Sequence, residues 1–299
     1  MTTFTARLTE TAEAVEETLK MVLTPAGALS PGEPALWEAM RYATLGGGKR
    51  LRAFLVMESA AILEAPRTGA LNAAAAIECV HAYSLIHDDL PAMDDDKMRR
   101  GKPTTHIAFD EAIAILAGDA LQALAFQLTA DPKTHPDPAI RADLTLALAT
   151  AAGGPGMVGG QVIDIAAETA ATPFDLTTIT RLQALKTGAL FGFAASAGAI
   201  LAGDPASRAA LETFARHFGL AFQIRDDILD EEGDEAETGK ALRKDAEAGK
   251  ATFYSLLGAD GAHARAAEEA EAAKAVLDRF GERAIWLRQA ADFAVARTK

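Results

Sequence analysis

Cysteine is almost absent from this sequence: Cys79 is the only one in 299 residues. No intramolecular disulfide framework can form, which points to a reducing compartment, and the cytoplasm is the expected location. Cys79 lies in an apolar run and reads as a small buried residue, not a nucleophile. Aromatics are scarce at 6%. Basic residues are outnumbered, 29 against 42 acids, for a net charge of −13 and a pI near 4.9. A nucleic-acid backbone needs a basic surface, so no nucleic-acid partner is expected. A small anionic ligand stays open, because local cations or a metal can reverse the field within one cleft. The N-terminal stretch carries acids and no apolar centre, so no signal peptide is expected there. A long uncharged run, 187–203, falls just short of a bilayer span and is rich in Gly, Ala and Ser. It reads as a buried helix of a bundle, and the chain is not expected to span a membrane.

Strand-like alternation is missing too. Alanine, the strongest helix former, dominates the apolar residues. Helix is expected over 4–23, 35–46, 50–64, 69–89, 109–130, 139–151, 157–169, 175–201, 206–230, 262–279 and 282–297. The breaks carry Pro and Gly, and none is long enough to be a domain linker. The expected architecture is all-α: one domain over 1–299, a single large helical bundle around a central apolar cavity. The polar stretch 231–249 is a candidate lid.

Two acidic clusters break the economy of this pattern. His87-Asp88-Asp89-Leu90-Pro91-Ala92-Met93-Asp94-Asp95-Asp96 ends an apolar helix. Anions at a helix C-terminus oppose its dipole, and Pro91 removes a backbone donor. In Asp226-Asp227-Ile228-Leu229-Asp230, Asp226 and Asp230 share a helix face. A solvated acidic turn is the plain alternative for either cluster alone. Two together favour a counter-ion, and all-oxygen ligands favour Mg²⁺ or Mn²⁺ shared with substrate phosphates.

Basic groups sit beside glycine turns or acids. Gly46-Gly47-Gly48-Lys49-Arg50-Leu51-Arg52 is expected to open a helix carrying Lys49 and Arg52, a diphosphate site without P-loop spacing. Arg99-Arg100-Gly101-Lys102-Pro103-Thr104 follows the first acidic cluster. Lys186-Thr187 interrupts a long apolar helix, and Lys240 and Lys250 flank the polar loop. Most single lysines merely solvate a surface; the positions of these give them weight.

Taken in order over about 40–255, these motifs, with Phe222-Gln223-Ile224-Arg225 before the second cluster and Gly249-Lys250-Ala251-Thr252 after it, resemble the trans-isoprenyl diphosphate synthases. The likeness is strongest to the bacterial short-chain members that make farnesyl diphosphate. The resemblance implies the isoprenoid synthase fold and a homodimer. It implies magnesium, about three ions per site with manganese as a substitute, on Asp88, Asp94, Asp226 and Asp230, supported by Asp89 and Asp227. Arg99, Lys186, Thr187, Gln223 and Lys240 would contact the allylic diphosphate, with Lys250 nearby. Lys49, Arg52, His81 and Arg100 would hold isopentenyl diphosphate. One departure is Glu231-Glu232-Gly233 after the second motif, where the family's usual pattern is Asp-Val/Leu-x-Gly, so that charge is added to the lid.

Product length is partly readable. Ser84 lies one helical turn before Asp88 on the same face, with Tyr83 beside it. Ser84 is too small to stop an elongating chain, leaving that to Tyr83 or another helix. Farnesyl diphosphate is the expected product, geranylgeranyl diphosphate the alternative. Other classes fare worse. Gly154-Pro155-Gly156-Met157-Val158-Gly159 fits a dinucleotide fingerprint but lacks the preceding strand. Glu78-x-x-His81 is half of a di-iron site with no second half. A His-Asp phosphohydrolase would need more His ligands than His81 and His87 supply. A non-catalytic subunit of a heteromeric prenyl synthase would be expected to lack one acidic cluster, and both are present.

Overall fold

The computed structural model describes residues 3–233 and 250–297. Its elements follow chain order: α1 (Phe4–Val22), α2 (Glu33–Thr44), α3 (Leu51–Ile62), α4 (Arg67–Asp88), a hairpin of β1 (Met98–Arg99) and β2 (Lys102–Pro103), α5 (Thr105–Ala108), α6 (Glu111–Ala130), α7 (Pro138–Ala152), α8 (Met157–Glu168), α9 (Leu176–Gln183), a π turn (Ala184–Gly188), α10 (Ala189–Leu201), α11 (Pro205–Glu232), α12 (Phe253–Val276), a 3₁₀ segment (Leu277–Ala284) and α13 (Ile285–Ala296). The fold is all-α, as expected.

Aspartates start many of these helices. Asp110, Asp137, Asp175 and Asp204 each accept a hydrogen bond from a backbone N–H of the first turn, satisfying donors the helix cannot. Alanine and glycine set how close the helices come. α10 is buried along nearly its whole length and crosses α3 so tightly that a Cβ on Gly198 would lie 2.2 Å from the Ala60 backbone nitrogen. The Gly198 N–H donates to Ser59 Oγ there, at 3.2 Å. Phe191, Phe214, Phe218 and Phe222 fill the seam between α10 and α11 with edge, tilted and stacked contacts 5.0–6.3 Å apart.

Several expectations need correction. α12 begins at Phe253, not 262: Thr252 and Ser255 form a reciprocal capping box, and the chain kinks at Gly258, where φ is +71°. The hairpin at 98–103 was too short to leave an alternation signal; its turn uses positive φ at Arg100 and Gly101. The expected continuous helix 175–201 contains the π turn, and 3₁₀ geometry precedes α13. By length and composition, Glu111–Ala130, Pro138–Glu168 and Leu176–Leu201 are each long and apolar enough to cross a bilayer, where the run 187–203 read as just short. In the last of them 61% of the apolar window is buried against neighbouring helices.

Candidate active site

α4 carries the first acidic cluster at its C-terminus. Asp88 is its last helical residue and Asp89 its cap. The chain folds back at once: Leu90 O accepts from Met93 N at 2.8 Å, and Asp88 O accepts from Asp94 N at 2.8 Å. That turn brings Asp94 beside Asp88. Burial pushes the Asp88 carboxyl up to about 6, helped by Asp94 and Asp89 and opposed by Lys186 and Arg99. Asp94 is raised for the same reason, against Lys186 and Lys250. Asp89 is buried and gripped by the Arg99 fork, with Nε donating to both its oxygens at 2.8 and 3.0 Å. Arg99 therefore ties the hairpin to the helix end. The bent stretch 88–99 is one unit, held by ion pairs and backbone bonds.

The second cluster lies on the last two turns of α11. Asp227 points inward and accepts from Phe253 N at 2.7 Å and Gln223 Nε2 at 3.0 Å. Thr187 Oγ1 lies 3.1 Å from Gln223 Oε1, so a side-chain chain runs from the π turn to this cluster. Asp226 pairs with Arg297 at 2.5 Å, and that guanidinium lies 3.9 Å over the Phe222 ring. Asp230 follows Asp226 by one turn. Glu231 and Glu232 close the helix, and Glu232 reaches His263 at 3.0 Å.

The π turn reaches the second cluster through Thr187 and Gln223, and its Lys186 acts by charge on Asp88 and Asp94 of the first. An extra residue in the turn widens the helix and re-aims its side chains, a device common at functional sites. Lys186 donates to Asp164 Oδ2 of α8 at 2.5 Å. Lys250 approaches Asp164 Oδ1 at 3.3 Å and Glu168 at 2.9 Å.

The glycine turn departs from its expected form. α3 begins at Leu51, with Arg50 left-handed at φ +52°, so Lys49 precedes the helix instead of lying on it with Arg52. Arg50 turns inward to Glu78 at 2.9 Å and Glu16 at 2.8 Å. Glu78 is thus the partner of a buried arginine and not a metal ligand. Gly48, at φ +80°, presents bare backbone to Arg100: a Cβ there would lie 2.7 Å from the guanidinium. An 80 Å³ cavity beside this contact is lined by Gly46, Gly47, Asp89, Arg99, Arg100 and Lys102. Arg52 stacks 4.7 Å over Phe191 and lies within the field of Glu78, Asp226 and Arg100. Lys49 lies 4.9 Å over Phe293. Burial and the charges of Arg52, Arg100, Arg99 and Arg50 hold His81 well below its ordinary pKa, so its imidazole is neutral.

Tyr83 is buried with its ring edge-on to His87 at 5.8 Å, and Ser84 donates to His81 O at 3.0 Å. His87 Nε2 lies 3.2 Å from Ile115 O, against the bare backbone of Gly118. The dinucleotide-like glycines form the turn into α8, where Gly156 and Gly159 abut backbone 2.1 Å from where their Cβ atoms would be. A larger groove, 710 Å³, opens between α7, α10 and α11. It touches the π turn through Ala184 and Gly188 and includes none of the clustered aspartates. Lys240 and most of the candidate lid lie outside the described residues.

The donors fit magnesium in kind. They are carboxylates only, and in the first cluster burial, with neighbouring acids adding to it, raises Asp88 and Asp94. Among the described residues no three His, Cys, Asp or Glu side chains converge on one point as a closed protein cage would.

Comparison with known proteins matches residues 33–284 to the polyprenyl synthetase family. The chain belongs to that family. A farnesyl diphosphate synthase of Escherichia coli K12 is 46% identical over 270 residues, covering 88% of this chain and 89% of that protein. A geranylgeranyl diphosphate synthase of Cyanophora paradoxa is 39% identical, covering 97% and 95%. The crystal structure of an FPP/GFPP synthase from Zymomonas mobilis superposes with a TM-score of 0.88 at 48% identity, covering 98% and 99% of the two chains. The matched span contains both acidic motifs and the glycine turn. Motif reading did not bring out Arg297 on Asp226 or Asp164 on two lysines. Both depend on where distant helices cross.

Proposed function

We propose that this polyprenyl synthetase is a short-chain prenyltransferase that joins isopentenyl diphosphate to dimethylallyl and then geranyl diphosphate, giving farnesyl diphosphate. One observation carries the reading: Lys186 and Thr187, in one π turn, face the first acidic cluster by charge and the second through Gln223. A single allylic diphosphate set there would meet both carboxylate groups.

Asp88, Asp94, Asp226 and Asp230 would hold Mg²⁺, with Asp89 and Asp227 bracing the turns that carry them. Bound magnesium would supply charge neutralisation of the leaving diphosphate. Lys186, Arg99, Thr187 and Gln223 orient that diphosphate and add hydrogen bonds that strengthen as the carbon–oxygen bond breaks. Arg52, Arg100, Lys49 and neutral His81 form the second anion site, for isopentenyl diphosphate. Its double bond then faces the allylic carbon in line. The apolar wall of α4 and α10 keeps water from the allylic cation. None of these side chains is placed as a base, so the released diphosphate takes the proton.

A homodimer in the cytoplasm completes the reading; exposed Ile115 and Leu116 on α6 support the dimer. The test is incubation of the purified full chain with labelled isopentenyl diphosphate, each allylic primer and Mg²⁺, followed by product sizing. Fifteen-carbon product is expected. A twenty-carbon product would mean geranylgeranyl diphosphate, and phosphate release from nucleotides without prenyl product would sink the proposal. Ser84→Phe should shorten the product, since a ring there intrudes one turn below Asp88. Unchanged chain length on chromatography would remove Ser84 from that role.

A further inference from the structure

We propose that Asp164 is a positioning residue that gathers Lys186 and Lys250 at one carboxylate and competes with the substrate's diphosphate for them. The two lysines come from separate parts of the chain, the π turn and the segment before α12. Lys186 Nζ meets Oδ2 at 2.5 Å and Lys250 Nζ meets Oδ1 at 3.3 Å, so each oxygen serves one ammonium. Glu168, one turn further along α8, holds Lys250 at 2.9 Å. Two ammonium groups this close to one carboxylate would repel each other without it. Burial pushes the Asp164 carboxyl up, yet Lys186 and Lys250 outweigh burial and hold it below the ordinary value. Asp164 is therefore an anion that both lysines favour.

Packing sets the placement. One turn before Asp164, a Cβ on Gly160 would lie 2.2 Å from Lys186 N, so α8 meets the π turn backbone to backbone. Asp164 thereby rides at a fixed offset from Lys186. Both lysines also lower Asp94, and Lys186 lowers Asp88, so the pair lies between α8 and the first acidic cluster. The inference rests on the prenyl-transfer reading, in which these lysines meet the leaving diphosphate. Asp164 itself touches no reacting atom. Its charge keeps the ammonium groups aimed while diphosphate is absent, and must be outcompeted when diphosphate arrives.

Asp164→Asn should thus split binding from turnover. Inorganic diphosphate, titrated calorimetrically without metal at low ionic strength, should bind several-fold tighter, because its competitor is gone. In the prenyl assay kcat should fall about 10- to 100-fold as the lysines lose their aim, with the KM for isopentenyl diphosphate unchanged. Asp164→Glu should recover most of the turnover. Weaker diphosphate binding together with slower turnover would reduce Asp164 to a structural role, and unchanged binding and turnover would overturn the proposal outright. Wild-type protein that makes no prenyl product would refute the activity, while the diphosphate titration would still decide the role of Asp164.

Discussion

Asp88→Asn should lower turnover about 10³-fold and, in the same protein stripped of metal, raise the free energy of unfolding at neutral pH. The loss follows from removing an anionic ligand where charge on the leaving group is neutralised. The gain follows from the environment of Asp88. Its carboxyl is pushed from 3.8 to about 6 by burial and by Asp94 and Asp89, against the pull of Lys186 and Arg99. A carboxyl whose pKa is raised on folding binds more protons folded than unfolded between those values. Stability must therefore fall as pH rises from about 4 to about 6, and the full cost is present above that. Near pH 7 that cost is about 3 kcal/mol, at 1.36 kcal/mol per pKa unit. Asparagine carries no charge at any pH, so the gain should vanish below pH 4. Urea unfolding with a chelator at pH 4 and pH 7.5 reads the difference. A variant less stable than the parent at pH 7.5 would show that Asp88 is a structural anion. The acidic cluster is thus a place where the fold gives up stability that the proposed magnesium would restore.

The sequence exposed this because its cost is local. Five aspartates at a helix end, next to Pro91, conflict with helix chemistry on their face. The helices were legible for a related reason: alanine and spaced apolar residues act within one turn, and Pro or Gly marks most boundaries. What stayed hidden is non-local or spans too few residues. Arg50 and Arg52 are two residues apart in the glycine motif, but the left-handed backbone at Arg50 sends one to Glu78 and the other over Phe191. Arg297 is far in sequence from Asp226 and meets it only because α13 crosses α11. The start of α12 was obscured by Gly258, which breaks the periodicity six residues after the cap. The π turn left no mark, since one added residue changes the phase of side chains without changing composition.

That π turn sets the last large effect. Gly160→Ala should cost about 1–3 kcal/mol of stability and about 10²-fold in turnover. On helix propensity alone the change should stabilise, by up to about 1 kcal/mol. The contact decides otherwise. The added Cβ would lie 2.2, 2.6 and 2.8 Å from the N, Cα and Cβ of Lys186. Two of those atoms are backbone, so relief requires α8 to withdraw or the π turn to shift. Either movement carries Lys186 and Thr187 away from the carboxylates they face, and a shift of about 1 Å in a positioning group is enough for a hundredfold loss. Gly192→Ala is the matched control: Gly192 is also helical, and its Cβ would meet nothing within 4 Å. It should gain stability and keep its kcat. Denaturant melts and kcat measured on both variants separate the effects. Parent-like turnover in Gly160→Ala would mean that Lys186 tolerates displacement, and the π turn would then no longer be the element that registers the allylic diphosphate between the two acidic clusters.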